Sequence, residues 1–289
     1  MAEVVQQSGF RRVWFITGAS RGIGALIAEA ALADGNAVVA AGRNVAAIVE
    51  RLGESAALLP VVLDVTSEAQ AQAAVQAAVE KFGRIDVLVN NAGFGLLGAV
   101  EESTDKDVRR VYDTNVFGLL NVTRAVLPVM RANRAGHVIN ISSIGGYRGA
   151  AGFGVYASTK FAVEGITESL HAELKPLGLH ATVVEPGYFR TDFLDASSLA
   201  VAPTVIDDYD ETAGAVRRKA VQMNGKQPGD PTKLAAAMIT LVDAPAPPLR
   251  LPLGTDTLAA IAAKNAYVTQ ETEAWKALSA STDFAAGAR

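Results

Sequence analysis

The sequence predicts an open, doubly wound α/β fold, in which a parallel sheet of about seven strands carries helices on both faces. Two observations predict it. Short β-rich apolar runs are continuous instead of alternating with polar residues, which is typical of strands buried on both faces. Longer, alanine-rich amphipathic runs stand between them, so strands and helices alternate. With 289 residues, 50% of them apolar, the chain can bury one large core, and we expect a single domain over residues 1–289.

The predicted elements follow one another along the whole chain. The strand candidates are, in order, VWFITG, AVVAAG, LLPVVLDV, IDVLVNNAG, GHVINISS, HATVVEPG and LRLPLG near residue 250. Helical periodicity predicts helices from Gly22 to about Asp34, from Asn44 onward, and from Ser67 to about Phe82.

Residues 188–230 break this alternation. The segment mixes apolar residues such as Phe189, Phe193 and Leu199 with acidic and small residues, and it has no clear strand pattern. A segment this long inside a compact domain is typical of a lid or binding element, with disorder as the alternative. We expect a substrate lid inserted in the domain.

Composition excludes several kinds of chemistry and partner. The chain has no cysteine, which rules out disulfides, a thiolate nucleophile and cysteine-ligated metals, and we expect no metal site. A net charge of −4 without a long basic block argues against nucleic acid or an anionic membrane as the partner. No apolar run is long enough to span a membrane, and the N-terminal MAEVVQQSGFRR lacks the apolar run of a secretion signal. We therefore expect a cytoplasmic protein without membrane insertion.

A glycine-rich turn, TGASRGIG at residues 17–24, follows the first predicted strand and precedes a helix. In a Rossmann-like fold, such a turn lets the backbone approach a dinucleotide pyrophosphate, while the helix presents its N-terminal amides. An ordinary tight turn is the alternative. The predicted cofactor contacts in this turn are Gly18, Ser20, Arg21, Gly22, Ile23 and Gly24.

The same letters contain GASRG, which matches the G-x-S-x-G elbow of serine hydrolases, with Ser20 as the nucleophile. That elbow normally follows several strands, because its oxyanion hole uses an amide from an earlier loop, and only 17 residues precede Gly18. The three histidines also fit poorly, since they stand at a strand start, within a long helix and just after it. Ser20 is therefore interpreted as a phosphate contact.

The end of the second strand predicts which dinucleotide is bound. Many dinucleotide folds carry an acidic residue here that binds the ribose 2′-hydroxyl, but this chain has Gly42 and Arg43. A missing carboxylate removes repulsion of a 2′-phosphate, and Arg43, with Arg21 as a second cation, offers a guanidinium that matches it. A solvated surface charge is the alternative for either arginine. We expect NADP(H) to be preferred over NAD(H).

A tyrosine and a lysine, Tyr156 and Lys160, lie one turn apart on one face of a predicted helix. A free phenol titrates near ~10, so acting as a base at neutral pH requires a lower pKa, which a nearby ammonium and an oxidised nicotinamide both favour. Hydride transfer to a ketone also needs a group that polarises the carbonyl oxygen. Ser142 and Ser143, at the end of HVINISS, are the candidates, and strand alternation directs them to opposite faces.

These blocks, in their order and spacing, resemble the short-chain dehydrogenase/reductase family in its single-domain form. The resemblance rests on TGASRGIG at 17–24, LDV around Asp64, NNAG at 90–93, the asparagine of YDTNVFG at 115, ISS at 141–143, YASTK at 156–160 and PGYFRT at 186–191. It implies an oxidoreductase that transfers a hydride between a nicotinamide cofactor and a carbonyl or secondary alcohol. The chain beyond about residue 192 is only loosely covered.

The resemblance implies a catalytic set of four residues. Tyr156 would donate the proton in reduction and accept it in oxidation, and Lys160 would lower its pKa and hold the nicotinamide ribose. Ser143, which the family's spacing favours over Ser142, would polarise the carbonyl. Asn115 would hold a water in a proton relay; an ordinary polar residue in a helix is the alternative.

The resemblance also implies further cofactor contacts. They are Asp64 and Val65 at the adenine, Asn90, Ala92 and Gly93 at the ribose and phosphate side, and Pro186, Gly187 and Thr191 at the nicotinamide amide. For Asp64 the alternative is a helix N-terminal acid, and for the Asn90–Asn91 pair it is turn chemistry.

Apolar side chains after the strand ends predict a lipophilic substrate, such as a steroid-like or retinoid-like ketone. They are Phe94, Leu96, Leu97, Tyr147, Phe153, Tyr188, Phe189 and Phe193. Lid closure or a subunit interface is an equal alternative. By analogy with the family, we expect a homodimer or homotetramer with contacts on the helices after Thr104 and around Tyr156. A non-catalytic NADP(H)-binding sensor or scaffold and the serine hydrolase are the alternative functions.

Overall fold

The centre of the protein is a parallel sheet. In the computed structural model, which describes residues 9–284, the strands are β1 (Val13–Thr17), β2 (Ala37–Gly42), β3 (Leu58–Val62), β4 (Val87–Asn90), β5 (Gly95–Leu97), β6 (His137–Ile141), β7 (His180–Pro186), β8 (Leu199–Val201) and β9 (Arg250–Leu253). Seven of them form one sheet in the order β3-β2-β1-β4-β6-β7-β9, and all its pairings are parallel. The predicted doubly wound fold and its seven strands are confirmed. Residues 1–8, which carry most of the N-terminal stretch considered above, lie outside the described residues.

Helices cover both faces of this sheet. They are α1 (Gly22–Ala33), α2 (Val45–Leu52), α3 (Glu68–Phe82), α4 (Asp105–Tyr112), α5 (Leu119–Asn133), α6 (Ile144–Tyr147), α7 (Gly154–Leu174), α8 (Ala215–Met223), α9 (Pro231–Asp243) and α10 (Thr255–Ala280). The Asn44 side chain caps α2 by accepting from Ala47 N at 3.1 Å, and Ser67 caps α3 by accepting from Gln70 N at 3.3 Å. These caps explain why the two helices begin where the sequence predicts.

The core is divided between the two faces of the sheet. Along β1, Phe15 packs into one cluster with side chains of α3, α5 and α7, whereas Trp14 packs into the other with α1 and α9. Both side chains are 0% exposed. Burying a side chain of this kind contributes about 1.5–3 kcal/mol, so the continuous apolar strands are what hold the helices on both faces.

The order of the strands positions the ligand crevice. β2 lies on one side of β1 and β4 on the other, so the direction of winding reverses between β1 and β4. In open α/β sheets, ligands bind outside the carboxyl ends of the strands at this reversal. The β1 end leads into Gly18, and the β4 end leads into Asn91.

The segment of residues 188–230 contains defined elements. β8 pairs with β5 in parallel, and α8 follows it. The sequence shows no clear strand pattern here because the strand Leu199–Val201 is only three residues long, too few to form a recognisable pattern. The two ends of the segment are joined, because Gly229 N donates to Tyr188 O and Arg190 N donates to Gly229 O, each at 2.9 Å. Within residues 9–284, no helix combines the length and the apolar character needed to span a membrane.

Candidate active site

A cleft of about 1790 Å³ lies at the carboxyl ends of the central strands. Its walls come from the turn after β1, the ends of β2, β4, β6 and β7, helix α7 and the 188–230 segment. Most of the predicted site residues line it, namely Gly18, Ser20, Arg21, Gly22, Ile23, Arg43, Asp64, Val65, Ala92, Gly93, Ser143, Tyr156, Lys160, Pro186, Gly187 and Thr191. Residues far apart in the sequence therefore meet in one place.

The glycine turn leaves room for a ligand against its backbone. Gly18 and Gly22 have φ angles of +66° and +57°, which favour glycine. A Cβ on Gly18 would lie 3.0 Å from the Asn91 amide nitrogen, whereas a Cβ on Gly22 would meet no atom within 4 Å. Arg21 stands at the N-cap of α1, and its side chain makes no capping hydrogen bond. The open space at Gly22 and the uncapped helix amides fit the pyrophosphate of a dinucleotide.

The sequence predicts a cofactor contact at Gly24, but this glycine has a packing role in the structure. It is buried, and a Cβ there would collide with the Asn91 amide and the Gly18 carbonyl, so its role is to let α1 pack closely on the turn. Asn91 holds the same turn, because its amide donates to Thr17 O at 3.0 Å and to Gly18 O at 3.3 Å. Sequence reasoning missed this role of Asn91; its position directly after β4 was the available indication.

Asn90 points the other way. Its amide nitrogen donates to Thr123 Oγ1 and to Asn140 Oδ1, both at 2.9 Å, and the residue is 4% exposed. The side chain expected at the cofactor ribose therefore lies in the core, because neighbouring residues at a strand end face opposite sides of the sheet. Ala92 and Gly93 do line the cleft.

The two arginines differ in their surroundings. Arg43 is exposed at the end of β2 and lines the cleft close to Asp64. Burial would raise the pKa of Asp64, but hydrogen bonds from Thr66 and the charge of Arg43 outweigh it, so the pKa is lowered and Asp64 stays ionised. The Arg21 guanidinium instead donates to the backbone oxygen of Ser197 at 2.5 Å, which connects the glycine turn to the 188–230 segment.

The structure brings Ser143, Tyr156 and Lys160 together on the cleft wall. Tyr156 and Lys160 lie on α7, and a Cβ on Gly145 would lie 3.5 Å from Ser143 Oγ and 3.6 Å from Tyr156 Cε1, so the serine hydroxyl and the tyrosine ring approach the same point. Lys160 Nζ donates to Ile141 O at 2.8 Å and lies 5.9 Å from the centre of the Tyr156 ring. The buried Ser142 hydroxyl lies on the Glu164 side, since a Cβ on Gly146 would meet both side chains, so of the two serines Ser143 is the one beside the tyrosine.

Burial dominates the ionisation of the pair. It raises the pKa of Tyr156 to about 12, against the opposing hydrogen bond from Ser143, and it lowers the pKa of Lys160 to about 8, against the charge of Glu164. Lys160 hydrogen-bonds to a backbone oxygen and stands over the tyrosine ring, and both residues are almost fully buried. That Lys160 lowers the pKa of Tyr156 beside a bound, positively charged nicotinamide stays a prediction.

Asn115 lies behind the cleft wall. It belongs to a π-helical turn, Asp113–Gly118, between α4 and α5. Its side chain accepts from Phe94 N at 3.1 Å and donates to Phe94 O at 3.0 Å and to Thr159 Oγ1 at 3.1 Å. A Cβ on Gly93 would lie 3.0 Å from Asn115 Oδ1 and 3.7 Å from Lys160 Nζ, so the two side chains approach the same point from different helices. Single-turn π-bulges of this kind are frequent at functional sites.

Aromatic side chains form the other half of the cleft. Phe153 and Phe193 flank Tyr156, with ring centres 6.1 Å and 5.7 Å from its own. Of the apolar residues expected there, Phe94, Phe153, Tyr188, Phe189 and Phe193 line the cleft. Leu96 and Leu97 are buried beneath it, and Tyr147 turns away and donates to Asn265 Oδ1 at 2.6 Å.

The histidines contradict the serine-hydrolase alternative. His137 and His180 stand at the amino ends of β6 and β7, where their ring centres are 5.8 Å apart, and His171 contacts Ala181 O at 3.0 Å. Ser20 lies at the carboxyl end of β1, across the length of the sheet. Because all three histidines of the chain lie near the amino ends of the strands, at the opposite end of the sheet from Ser20, none of them can act as its base.

Sequence comparisons place relatives along most of the chain. The family model described as short chain dehydrogenase matches residues 12–201. The oxidoreductase BOA17 of Botryotinia fuckeliana is 38% identical, over 93% of this chain and 98% of its own. The 3-ketodihydrosphingosine reductase of Bacteroides thetaiotaomicron is 37% identical, over 84% of this chain and 88% of its own.

Solved structures share the fold. A short-chain dehydrogenase from Streptomyces avermitilis aligns with a TM-score of 0.86 and 38% identity, over 94% of this chain and 100% of its own. A short chain dehydrogenase/reductase from Burkholderia phymatum in complex with NAD aligns with a TM-score of 0.79 and 26% identity, over 91% of this chain and 96% of its own. The closed form of serine dehydrogenase complexed with NADP+ aligns at 0.70 with 27% identity, over 83% and 94%.

Proposed function

The chain belongs to the short-chain dehydrogenase family of oxidoreductases, and from that premise we propose that it transfers a hydride between NADP(H) and a lipophilic ketone or secondary alcohol. One observation carries the proposal: Ser143, Tyr156 and Lys160 converge on one wall of the cleft, while the glycine turn opens onto the same space. A protein that only bound the cofactor would not need an acid-base group beside its nicotinamide end.

In the reduction, Tyr156 Oη gives its proton to the carbonyl oxygen as negative charge develops there, and Ser143 Oγ holds that oxygen. The nicotinamide supplies the hydride when bound, and its oxidised form carries the positive charge that favours the phenolate in the reverse reaction. Lys160, whose pKa is lowered by burial to about 8, can exchange a proton near neutral pH. Asn115, close to Lys160 behind Gly93, is proposed to hold the water that connects this lysine to solvent.

The preference for NADP(H) rests on the end of β2. Gly42 and Arg43 stand where a carboxylate would bind the 2′-hydroxyl, and Arg43 is exposed at the cleft with its guanidinium near Asp64. A 2′-phosphate there would gain a charge-assisted, bidentate partner. Arg21 is the weaker candidate, because its guanidinium already contacts Ser197 O.

The substrate class rests on the aromatic half of the cleft. Phe153, Phe193 and Phe94 form an apolar wall beside Tyr156, and we propose that residues 188–230 act as a lid over it. A long-chain or polycyclic ketone would bury its hydrocarbon part there. The similarity to a 3-ketodihydrosphingosine reductase supports a lipophilic ketone over a small polar one.

We also propose a homodimer or homotetramer. Phe117, beside α5, and Phe161, on α7, are 54% and 44% exposed, on the two helical regions that the resemblance assigns to subunit contacts. Sedimentation analysis tests this proposal directly, and a monomer at micromolar concentration would contradict it.

The function is tested by titrating the purified protein with NADPH and NADH while nicotinamide fluorescence is followed, and then adding a panel of lipophilic ketones. The proposal expects tighter binding of NADPH and its consumption with at least one ketone. Tyr156→Phe is expected to keep binding and lose turnover. Binding without turnover of any ketone would favour the sensor or scaffold alternative, and no binding of either nucleotide would overturn the proposal.

A further inference from the structure

A buried charge cluster lies beside the catalytic residues but outside the cleft. Glu164 on α7 and Glu185 on β7 are 5% and 0% exposed. Arg250 on β9 stands between them, with Nε 3.4 Å from Glu164 Oε2 and 3.3 Å from Glu185 Oε1. The same guanidinium also pairs with the exposed Glu168 on α7. One arginine therefore faces three carboxyl groups, and two of these are buried.

The two buried carboxyl groups meet at one nitrogen, because Arg250 Nε lies within 3.4 Å of an oxygen of each, and none of their four oxygens has a hydrogen-bond partner in the part of the chain that the structure describes. Among residues 9–284, no backbone amide donates to their oxygens, which are sealed from solvent. Two charged carboxylates held this close repel each other, and a single arginine shared with Glu168 does not neutralise both. A proton held between Glu164 and Glu185 supplies the missing donor and removes the repulsion.

The pair lies on or beside three elements that carry predicted site residues, namely α7, the end of β6 and the end of β7. Glu164 lies one turn after Lys160 on α7, and its charge acts on the Lys160 ammonium. Ser142, the residue before Ser143, places its buried hydroxyl on the Glu164 side, and neither this hydroxyl nor the Glu164 carboxyl has a hydrogen-bond partner among residues 9–284. A Cβ on Gly146 would collide with Ser142 Oγ and lie 2.9 Å from Glu164 Oε1, so the chain after Ser143 packs directly against both side chains. Glu185 immediately precedes Pro186 at the cleft.

We propose that Glu164 and Glu185, sharing one proton, are positioning residues that hold the Ser142–Ser143 strand end and helix α7 in the arrangement that the reaction needs. The proposal rests on the function proposed above. Lys160 is anchored to Ile141 O from the cleft side, and Glu164 packs beside Ser142 and Gly146 from the other side, so the end of β6 is contacted from both directions. Neither glutamate lines the cleft, and neither would touch substrate.

The ionisation of the pair agrees with this geometry. Burial, followed by the charge of Glu164, raises the pKa of Glu185 to about 7, and burial raises the pKa of Glu164. The charged groups that face the pair are Arg250 from β9 and Lys160 and Glu168 from α7. Beside it, a cavity of about 490 Å³ is lined by Tyr147 from α6 and by Lys264 and Asn265 from α10.

The raised pKa of Glu185 determines how the stability of the protein changes with pH. A carboxyl with a raised pKa holds its proton more tightly in the folded protein, so the stability it contributes is present below its ordinary value of 4.5 and is lost as pH rises to about 7. Above that pH the two carboxylates repel, and the strand end that carries Ser143 loosens. The turnover rate is then expected to fall on the alkaline side while cofactor binding changes little.

The test compares Glu185→Gln, Glu164→Gln and the matched control Glu168→Gln, which also loses a partner of Arg250 but on the surface. Thermal midpoints are measured between about pH 5 and about pH 8, where a coupled proton release would show. Wild type and Glu168→Gln are expected to lose stability over this range, and both buried variants are expected to lose less. Superimposable profiles for all four proteins would overturn the shared proton.

The positioning role is tested by steady-state kinetics of the same proteins and of one further variant, Glu164→Ala. Glu164→Ala is expected to lower kcat about 10-fold with the Kd of NADPH within about twofold, and Glu164→Gln is expected to restore most of the rate and flatten the alkaline fall. If Glu164→Ala does not fold, the pH profile of kcat for Glu164→Gln decides. Equal pH profiles of kcat for wild type and Glu164→Gln would overturn the positioning role. If wild type reduces no ketone, the proposed function and the positioning role fail together, whereas the stability profiles still decide on the shared proton.

Discussion

Lys160 Nζ donates a 2.8 Å hydrogen bond to the backbone oxygen of Ile141, which joins the middle of helix α7 to the last residue of strand β6. Ser143 follows that strand by two residues, and Tyr156 precedes Lys160 by one helical turn. The contact therefore holds the strand end that precedes Ser143 against the helix that carries Tyr156. The lysine has a structural role here in addition to its charge.

Replacing this lysine tests both roles. Lys160→Met keeps the side-chain length but removes the ammonium, and we expect kcat/KM to fall roughly 10²- to 10⁴-fold, the usual contribution of an acid-base group. Because the pKa of Lys160 is lowered to about 8 from 10.5, wild type should gain stability relative to Lys160→Met as pH rises from about 8 to 10.5. Activity assays and thermal melts across that range measure the two effects. Lys175→Met, at the end of the same helix, is the control.

Arg43 is expected to select the cofactor. Arg43→Ala removes the guanidinium proposed to bind the 2′-phosphate and should weaken NADPH binding roughly 10- to 100-fold, with NADH almost unaffected. Fluorescence titration with both nucleotides measures the difference. Arg51→Ala, which removes an exposed arginine paired with Glu29 at 2.7 Å, is the matched control. Equal losses for NADPH and NADH would show that Arg43 makes no contact with the phosphate.

The two glycines of the first helical turn should respond differently to the same substitution. A Cβ at Gly24 would collide with the Gly18 carbonyl, so Gly24→Ala should destabilise the fold by about 1–3 kcal/mol. A Cβ at Gly22 meets open space in the cleft, so Gly22→Ala should mainly weaken NADPH binding, with a smaller loss of stability from its positive φ. Denaturant melts and cofactor titrations on both variants separate the effects. The reverse pattern would contradict the assignment of Gly22 to the pyrophosphate.

Glu102 should control the 188–230 segment. Its fully buried carboxylate pairs with Arg217 on α8 and accepts from Ile206 N at 2.9 Å, which ties the segment to the chain after β5. Glu102→Gln is expected to raise the KM for the ketone about 3- to 10-fold without changing the Kd of NADPH. Glu101→Gln, which changes the neighbouring exposed carboxylate and leaves it an oxygen to accept from Tyr209 Oη, is the control. An unchanged KM would exclude this contact from substrate binding.

The Glu102 contact also has a predictable pH range. The hydrogen bond from Arg217 lowers the pKa of Glu102 to about 2. A carboxyl with a lowered pKa contributes stability above its ordinary value of 4.5, and this stability is lost as pH falls towards 2. Limited proteolysis within residues 188–230 should therefore be constant at neutral pH and increase only in strong acid.

Several features of the site could be predicted because they are local. The glycine turn, the tyrosine and lysine one turn apart, and the strand starts and helix caps all depend on residues close together in the chain. Asn44 and Ser67 cap their helices where the pattern indicated, and seven apolar runs became the seven strands of the sheet. The resemblance joined these blocks into one family pattern, and the match of the family model to residues 12–201 confirms the family.

Other features depend on which way a side chain points once the strands have paired. Asn90 turns into the core and Asn91 holds the glycine turn, although the two are adjacent in NNAG. Tyr147 leaves the cleft and Phe153 lines it, although both follow the same strand. The pKa of Tyr156 rises because packing removes water from it, which the spacing of Tyr156 and Lys160 could not reveal.

The sequence by itself determined the fold class and the succession of strands and helices along the chain, because periodicity and turn residues act over a few neighbouring positions. The tertiary structure alone decided that Ser143 lies beside Tyr156, that Arg21 contacts Ser197, and that Glu164, Glu185 and Arg250 share one buried site. Such contacts join residues distant in the chain. Their charges interact strongly only after folding has excluded water from between them.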